Sequence, residues 1–144
     1  TDASIFTAAN IAEVSTQGVE FESSYKFKMS NYNQTITFGY TYLNDDILDQ
    51  NKDLSRYSLN TLKHQFISRF TSQLFKNVRQ NIIFKHAERT VGTSYNVWDA
   101  SLLVDFNKFT FTLTANNIFN ADYIESGFVP MPSSNVLFGL RYGF

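Results

Sequence analysis

The chain has 144 residues, and its 12 Lys and Arg against 13 Asp and Glu give a formal net charge of -1. That balance leaves no basic surface for phosphate contacts, so nucleic acid is excluded as a partner. Charged residues make up 17% of the chain, where about a quarter is usual for soluble domains, and aromatic residues make up another 17%. No apolar run approaches the ~20 residues of a transmembrane helix, so any contact with lipid must be made by strands.

The dominant pattern from Gly18 onward is an alternation of apolar and polar side chains, which predicts β-strands. In residues 18–29 the odd positions are mostly aromatic or apolar, and the even positions include Glu20, Glu22, Lys26 and Lys28. The same period recurs along the rest of the chain, which therefore contains no predicted helix. The predicted antiparallel strands are residues 18–29, 34–43, 62–74, 78–88, 98–106, 109–119 and 136–144.

The segments between these strands are alternately short and long. Clusters of Asn, Ser and Lys predict tight turns at residues 30–33, 75–77 and 107–108. Longer polar segments follow at residues 44–61, 89–96 and 120–135. A bacterial outer-membrane barrel has the same alternation of short periplasmic turns and longer extracellular loops.

Alternation by itself fits two architectures. A soluble β-sandwich buries its apolar face, whereas a transmembrane barrel turns that face to lipid and encloses a polar lumen. The polar face favours the barrel, because it is rich in Thr, Ser, Asn and Gly rather than in charge. The register would be strict, since a slip of one residue would turn Lys26 and Lys28 outward, at about 2 to 4 kcal/mol for a Lys at the bilayer midplane. The predicted fold class is therefore all-β, an antiparallel transmembrane β-barrel.

Three segments near the carboxyl end carry a family likeness. They are residues 115–123 (ANNIFNADY), a loop with Gly127 and Pro130-Met131-Pro132, and the closing residues 136–144 (VLFGLRYGF). Together with residues 17–22, 40–43 and 63–66 further upstream, they resemble the end of a TonB-dependent outer-membrane receptor. The sequence departs from many members at residues 132–135 (PSSN), where those have a Gly-Arg pair.

The resemblance implies a barrel of 22 strands filled by an amino-terminal plug. Residues 1–144 would supply about seven of those strands, and neither the plug nor its coupling motif is in this sequence. Open sheet edges in lipid leave unpaired backbone groups, each costing several kcal/mol, and single-chain barrels have an even strand number. Residues 1–144 are therefore expected to be the carboxyl-terminal part of a receptor barrel, completed by a longer chain or by a second one.

By the same resemblance, the function is active transport of a scarce nutrient, namely a ferric siderophore, haem or cobalamin, across the bacterial outer membrane. The implied partners are outer-membrane lipid, the rest of the receptor, the outer-membrane assembly machinery and, through the plug, the inner-membrane energy-coupling protein. The alternatives are a structural barrel subunit completed by another chain and a soluble β-sandwich binding module. The residues implied as the assembly signal are Val136, Phe138, Leu140, Tyr142 and Phe144.

Substrate contacts are predicted in the long loops, where binding residues usually lie. Asp49, Asn51 and Asp53 have the spacing of the first ligands of an EF-hand, but Leu54 and Asn60 replace the required Gly and Glu. A looser extracellular calcium site stays open beside the simpler interpretation, a solvated acidic loop. The predicted substrate-contacting residues are Asp45, Asp46, Asp49, Asn51, Asp53, Tyr123, Glu125, Phe128 and Met131.

Charges of both signs on the polar positions predict cross-strand pairs and plug contacts, with substrate specificity as the alternative. His64 and His86 share the parity of the apolar face and lack a third ligand, so interfacial side chains are predicted there and no metal site. The sequence has no GxSxG, no phosphate-binding Gly loop, no HExxH and no Cys, so neither an enzyme nor a cofactor is expected. The predicted lumen-facing residues are Glu20, Glu22, Lys26, Lys63, Arg69, Arg79, Lys85 and Arg141.

Overall fold

Each strand pairs with the strand next to it in the chain. The computed structural model describes residues 14–47, 62–90, 94–125 and 129–144, and within these ranges it has one antiparallel sheet in the order β1 to β7 and no helix. The predicted all-β antiparallel arrangement of seven strands is confirmed for these ranges. The strands are β1 (Val14–Met29), β2 (Tyr32–Ile47), β3 (Leu62–Phe75), β4 (Val78–Arg89), β5 (Tyr95–Phe106), β6 (Phe109–Asn116) and β7 (Asn135–Tyr142).

A search of the described ranges for helices found none with the length and apolarity needed to cross a membrane.

The hairpin of β1 and β2 is longer than predicted. Asp45 and Asp46, expected in a loop, lie in β2 and pair with Thr16 and Ser15 of β1. The Thr16 hydroxyl donates a hydrogen bond to Asp45 Oδ1 at 2.7 Å, a cross-strand contact that single-strand alternation does not reveal. Because the pairing of β3 with β2 ends at Tyr42, the far end of this hairpin extends beyond the shared sheet.

Tight turns join the strands at one end of the sheet, called here the turn end. Ser30 and Asn31 have φ values of 49° and 69°, the left-handed pair that a two-residue type I′ hairpin requires. Turns at residues 76–77 and 107–108 join β3 to β4 and β5 to β6. The three turns fall within the segments predicted for them. The opposite end of the sheet, where the longer connections lie, is called the loop end.

The register gives the sheet two chemically different faces, because directly paired residues share a face. The apolar face holds Phe38, Phe84, Trp98 and the other even positions of β2–β5 and β7, with the odd positions of β1 and β6. The polar face holds the remaining positions. In the described strands, Asp46 and Glu88 at the loop end are the only Asp, Glu, Lys or Arg residues at even positions of β2–β5 and β7 or odd positions of β1 and β6.

The aromatic side chains of the apolar face are not covered by a second layer within the described residues. Phe38 is 43% exposed, Phe111 is 36% exposed and Phe138 is 70% exposed. The buried apolar cluster instead lies on the polar face and consists of Ala87, Tyr95 and Val97. The sheet therefore does not use its aromatic stripes as its own core in the described part of the chain.

The sheet is open in the described part of the chain. Strand β1 pairs only with β2, and β7 pairs only with β6. Two rows of backbone N–H and C=O groups therefore face outward along the outer sides of β1 and β7. Such edges normally pair with further strands or are shielded from other chains.

Candidate functional site

The predicted lumen-facing residues share the polar face, with one irregular member. Glu20 and Glu22 lie on β1, and Arg69 lies on β3, opposite Thr37. Lys26, Arg79, Lys85 and Arg141 fall on the same face by their registers. Lys63 lies at a register shift between Leu62 and His64, and its ammonium is 3.7 Å from Glu88 Oε1. Whether this face looks into a lumen stays a prediction.

A polar network joins β4, β5, β6 and β7 at the turn end. Arg79 Nη2 is 2.8 Å from Asp105 Oδ2, and the Thr110 hydroxyl donates to Asp105 Oδ1 at 2.8 Å. Arg141 Nη2 donates to the Thr110 hydroxyl oxygen at 3.3 Å. The Arg79–Asp105 pair is about half exposed, so solvent screens the attraction and the pair contributes little to stability. In this network an ion pair and two hydrogen bonds link neighbouring strands.

A hollow of about 410 Å³ opens on the polar face over β1, β2 and β3. Gly39 is in its floor, and a Cβ added there would meet no atom within 4 Å. Among the described residues, the side chains of Glu20, Glu22 and Arg69 around it form no ion pair. The hollow is lined by Glu20, Phe21, Glu22, Thr37, Gly39, Tyr40, Thr41, Gln65, Ile67 and Arg69.

Asn117 anchors the long connection between β6 and β7. Its side-chain amide donates to the carbonyls of Ala121 at 2.9 Å and Pro132 at 3.2 Å, and its Oδ1 accepts from the Ala121 N–H at 2.8 Å. Its own N–H donates to Asp99 Oδ1 on the polar face of β5 at 2.8 Å. With a φ of 49° and 3% exposure, Asn117 ends β6 and turns the chain back over the polar face.

Lys85, Tyr95, Tyr123 and Glu125 form a compact group on the polar face, called here the Lys85 cluster. The Lys85 ammonium pairs with Glu125 Oε1, and the Tyr95 hydroxyl donates to the same oxygen at 3.2 Å. The ammonium is 5.7 Å from the ring centroid of Tyr95 and 5.5 Å from that of Tyr123, within cation–π range. The two rings lie 4.6 Å apart and pack on the buried Ala87 and Val97.

Tyr123, the tyrosine on the loop side of the Lys85 cluster, lies in surroundings that favour its uncharged phenol. Burial raises the pKa of Tyr123 above its ordinary value of 10.0, and the negative charges of Glu125 and Asp99 raise that pKa further. Tyr123 is therefore uncharged at neutral pH, and its ring can face the Lys85 ammonium without adding a second negative charge.

Aromatic side chains line both ends of the apolar face, and two imidazole side chains lie at its loop end. At the loop end, the Tyr40 hydroxyl lies 2.8 Å from His64 Nδ1, and the Tyr42 ring is 5.0 Å from the His64 ring. His86 Nδ1 lies 2.9 Å from Asn96 Oδ1 on the same face. Both imidazoles thus have polar partners among neighbouring side chains. In the described ranges no three His, Asp or Glu side chains are grouped to hold a metal ion.

A second aromatic group lies at the turn end of the apolar face. Tyr32 contacts Phe75 edge to face, with ring centroids 6.5 Å apart. Tyr142 lies 5.0 Å from Phe109 and 5.2 Å from Phe144. Of the residues implied as an assembly signal, Val136, Phe138, Leu140 and Tyr142 follow one another along the exposed apolar face of β7.

The structure brings together only part of the predicted substrate-contacting set. Tyr123 and Glu125 belong to the Lys85 cluster, and the Met131 N–H donates to the Tyr123 carbonyl at 2.9 Å. Asp45 and Asp46 lie apart from them, in the β1–β2 hairpin. Asp49, Asn51, Asp53 and Phe128 lie outside the described residues.

Two features of the polar face were missed by the sequence analysis. Lys85 and Glu125 are 40 residues apart, so no local pattern signals their pairing. Asn117, in contrast, could have been recognised as a chain reversal, because Asn is among the few residues that adopt a left-handed backbone readily. Its position in the Asn-Asn pair at the end of the β6 alternation was the available signal.

The comparisons with known proteins give no relative. No protein-family model, curated protein or solved structure matches the chain.

Proposed function

We propose that this chain is the carboxyl-terminal wall of a TonB-dependent receptor in a bacterial outer membrane, importing a ferric siderophore, haem or cobalamin. The apolar face contacts lipid, and the polar face lines the lumen beside a plug. The role is transport and includes no catalytic step. The plug, supplied by the remainder of the receptor, couples uptake to the inner-membrane protein.

One observation carries the proposal: a continuous aromatic face that spans seven strands and stays uncovered in the described residues. Phe21, Phe38, Phe111 and Phe138 are each at least one-third exposed, on strands from one side of the sheet to the other. A soluble protein rarely exposes a contiguous apolar surface of this kind without a partner. Hydrocarbon is the partner that suits a face without charge between its two ends.

The spacing of the two aromatic groups supports the same proposal. On β2, Tyr32 lies at the turn end and Tyr42 at the loop end of the apolar face. Ten residue steps of ~3.4 Å give ~34 Å along the strand, and a tilt of ~40° reduces this to a height of ~26 Å. Outer-membrane barrels have an apolar band ~25 Å tall between aromatic girdles.

The open edges support a larger barrel. A seven-stranded sheet whose β1 and β7 each lack a second neighbour would leave unpaired backbone groups in lipid. In the proposal, further strands of the same receptor pair with those edges and close the wall. The resemblance of residues 115–123 and 136–144 to the end of such receptors is the reason for choosing this class of barrel.

Fractionation of the native cells tests the proposal. An antibody against residues 120–135 should detect a polypeptide in the outer-membrane fraction with a denatured mass far above 16.6 kDa. Deleting its gene should abolish energy-dependent uptake of one nutrient from a panel of ferric siderophores, haem and cobalamin. Detection in the detergent-free soluble fraction would contradict the proposal. A native 16.6 kDa membrane polypeptide would instead identify a barrel subunit completed by another chain.

A further inference from the structure

The geometry points to an anion-binding site on the polar face, built from Lys85 and Tyr95. In this structure the carboxylate of Glu125 occupies the site, and a carboxylate-bearing ligand binds there by displacing it. The inference does not depend on where the sheet is located, because every contact in it lies on the polar face. It concerns a site that the transport proposal leaves unassigned.

The donors of this site belong to the wall and the acceptor belongs to the loop. Lys85 projects from β4 and Tyr95 from β5, which are paired over ten residues. Both groups direct a hydrogen to one carboxylate oxygen of Glu125. The wall therefore presents a preformed pair of donors, while the carboxylate comes from a connection that is anchored separately at Asn117.

The surroundings of Lys85 favour a bound anion next to its ammonium group. Its side chain is 22% exposed, Lys85 is directly paired with the buried Val97, and its ammonium lies near the ring of the buried Tyr95. A cation in such surroundings is costly unless an opposite charge accompanies it. The ring of Tyr123 closes one side of the ammonium without supplying a charge. A carboxylate is thus required at this position, whether it comes from Glu125 or from a ligand.

A ligand can approach through the neighbouring hollow. Ile67, which lines the hollow, is directly paired with Lys85 on the polar face. Glu125 keeps 31% of its side chain exposed, so its carboxylate is accessible to solutes. The occupant we assign is a solute carrying at least one carboxylate, since that group reproduces the contacts of the Glu125 side chain.

Propionate is a suitable probe, because it reproduces the carboxylate and two carbons of the Glu125 side chain, and propionamide is its neutral counterpart. Amide hydrogen exchange of residues 117–125 is followed in the full-length protein in detergent. In the wild type, propionate should accelerate exchange saturably by displacing Glu125, and propionamide should not. Glu125→Ala should accelerate exchange about tenfold, which corresponds to about 1.4 kcal/mol, and propionate should then cause no further acceleration.

Two further variants separate a ligand site from a structural ion pair. Lys85→Met should remove every response to propionate. Glu88→Ala, which deletes the carboxylate of the exposed Lys63–Glu88 pair on the same sheet, should leave exchange of residues 117–125 unchanged. The inference is overturned if the wild type responds equally to propionate and propionamide, or does not respond at all. It is also overturned if Lys85→Met responds like the wild type.

Discussion

Gly18 occupies a position on β1 that cannot accept a side chain. A Cβ built there would lie 2.5 Å from the Tyr42 carbonyl oxygen and 2.5 Å from Leu43 Cδ2. Since backbone cannot move as easily as a side chain, Gly18→Ala should destabilise the β1–β2 pair by about 1 to 3 kcal/mol, the usual cost of overpacking. The measurement is the denaturant midpoint of the folded protein in detergent.

Gly39 is the matched control for that substitution, one strand away on the same face. Its added Cβ would meet nothing within 4 Å, so Gly39→Ala should change stability by less than about 1 kcal/mol, toward greater stability because Ala suits a strand better than Gly. Equal losses in the two variants would show that the close approach at Gly18 does not determine the pairing.

The side-chain amide of Asn117 should contribute strongly to the stability of the loop at residues 117–125. Asn117→Ala removes three side-chain hydrogen bonds at a residue with 3% exposure and also disfavours its φ of 49°. Asn117→Gly accepts that φ but loses the same bonds. Because each unsatisfied buried group costs about 1 to 3 kcal/mol, both variants should lose protection of residues 117–125 in hydrogen exchange. Retained protection in Asn117→Gly would mean that the backbone angle alone holds the loop.

Tyr123 gives the loop a pH dependence in the alkaline range. Its pKa is raised in the folded protein, so the folded state favours the protonated phenol relative to a free tyrosine. Stability from this group is therefore complete below about pH 10 and is lost as the pH rises through the folded pKa. The protection of residues 117–125, taken as their exchange rate relative to the intrinsic base-catalysed rate, should fall above that pH in the wild type, and Tyr123→Phe should abolish the fall. A transition that persists in Tyr123→Phe would assign it to another group.

At the scale of elements, strands were predictable because their period is local. The alternation in residues 62–74 and 78–88 is enough to predict β3 and β4. It also predicts the face of the sheet on which each side chain lies. The end of β2 was missed, since residues 44–46 are polar on both faces and are held by partners on β1. The Lys85 cluster was also beyond local patterns, because it depends on a contact between a strand and a loop 40 residues away.

On strand β6, the same kind of substitution can be made on each face of the sheet and the two results compared. Leu113 lies on the apolar face and is 48% exposed, whereas Thr112, its neighbour, lies on the polar face opposite Gly139. If Leu113 contacts lipid, Leu113→Arg should cost about 2 to 4 kcal/mol near the midplane and reduce membrane assembly, while Thr112→Arg should assemble normally. Quantification of folded protein in the outer membrane measures both. Equal assembly of the two variants would contradict a lipid-facing apolar side.

At the scale of the whole molecule, the described residues form one open sheet and not an enclosed body. Its buried apolar cluster lies beneath the loop that follows β6, and the aromatic side chains of the apolar face lie on the other side of the sheet. Both outer strands offer unpaired edges, and both faces offer surfaces that need something against them. Lipid against the apolar face, further strands at the two edges and a plug against the polar face would together cover these surfaces.

In the proposed barrel, the aromatic face contacts hydrocarbon and the hydroxyl-rich face contacts water. Because these 144 residues contain no Cys, spin labels can be placed singly at positions 111, 112, 113 and 114 of β6 in the membrane-embedded protein, after any Cys elsewhere is replaced. Oxygen, which concentrates in lipid, should relax labels at 111 and 113, and a water-soluble nickel chelate should relax those at 112 and 114. Nickel accessibility at 111 and 113, or a common response at all four positions, would contradict the account.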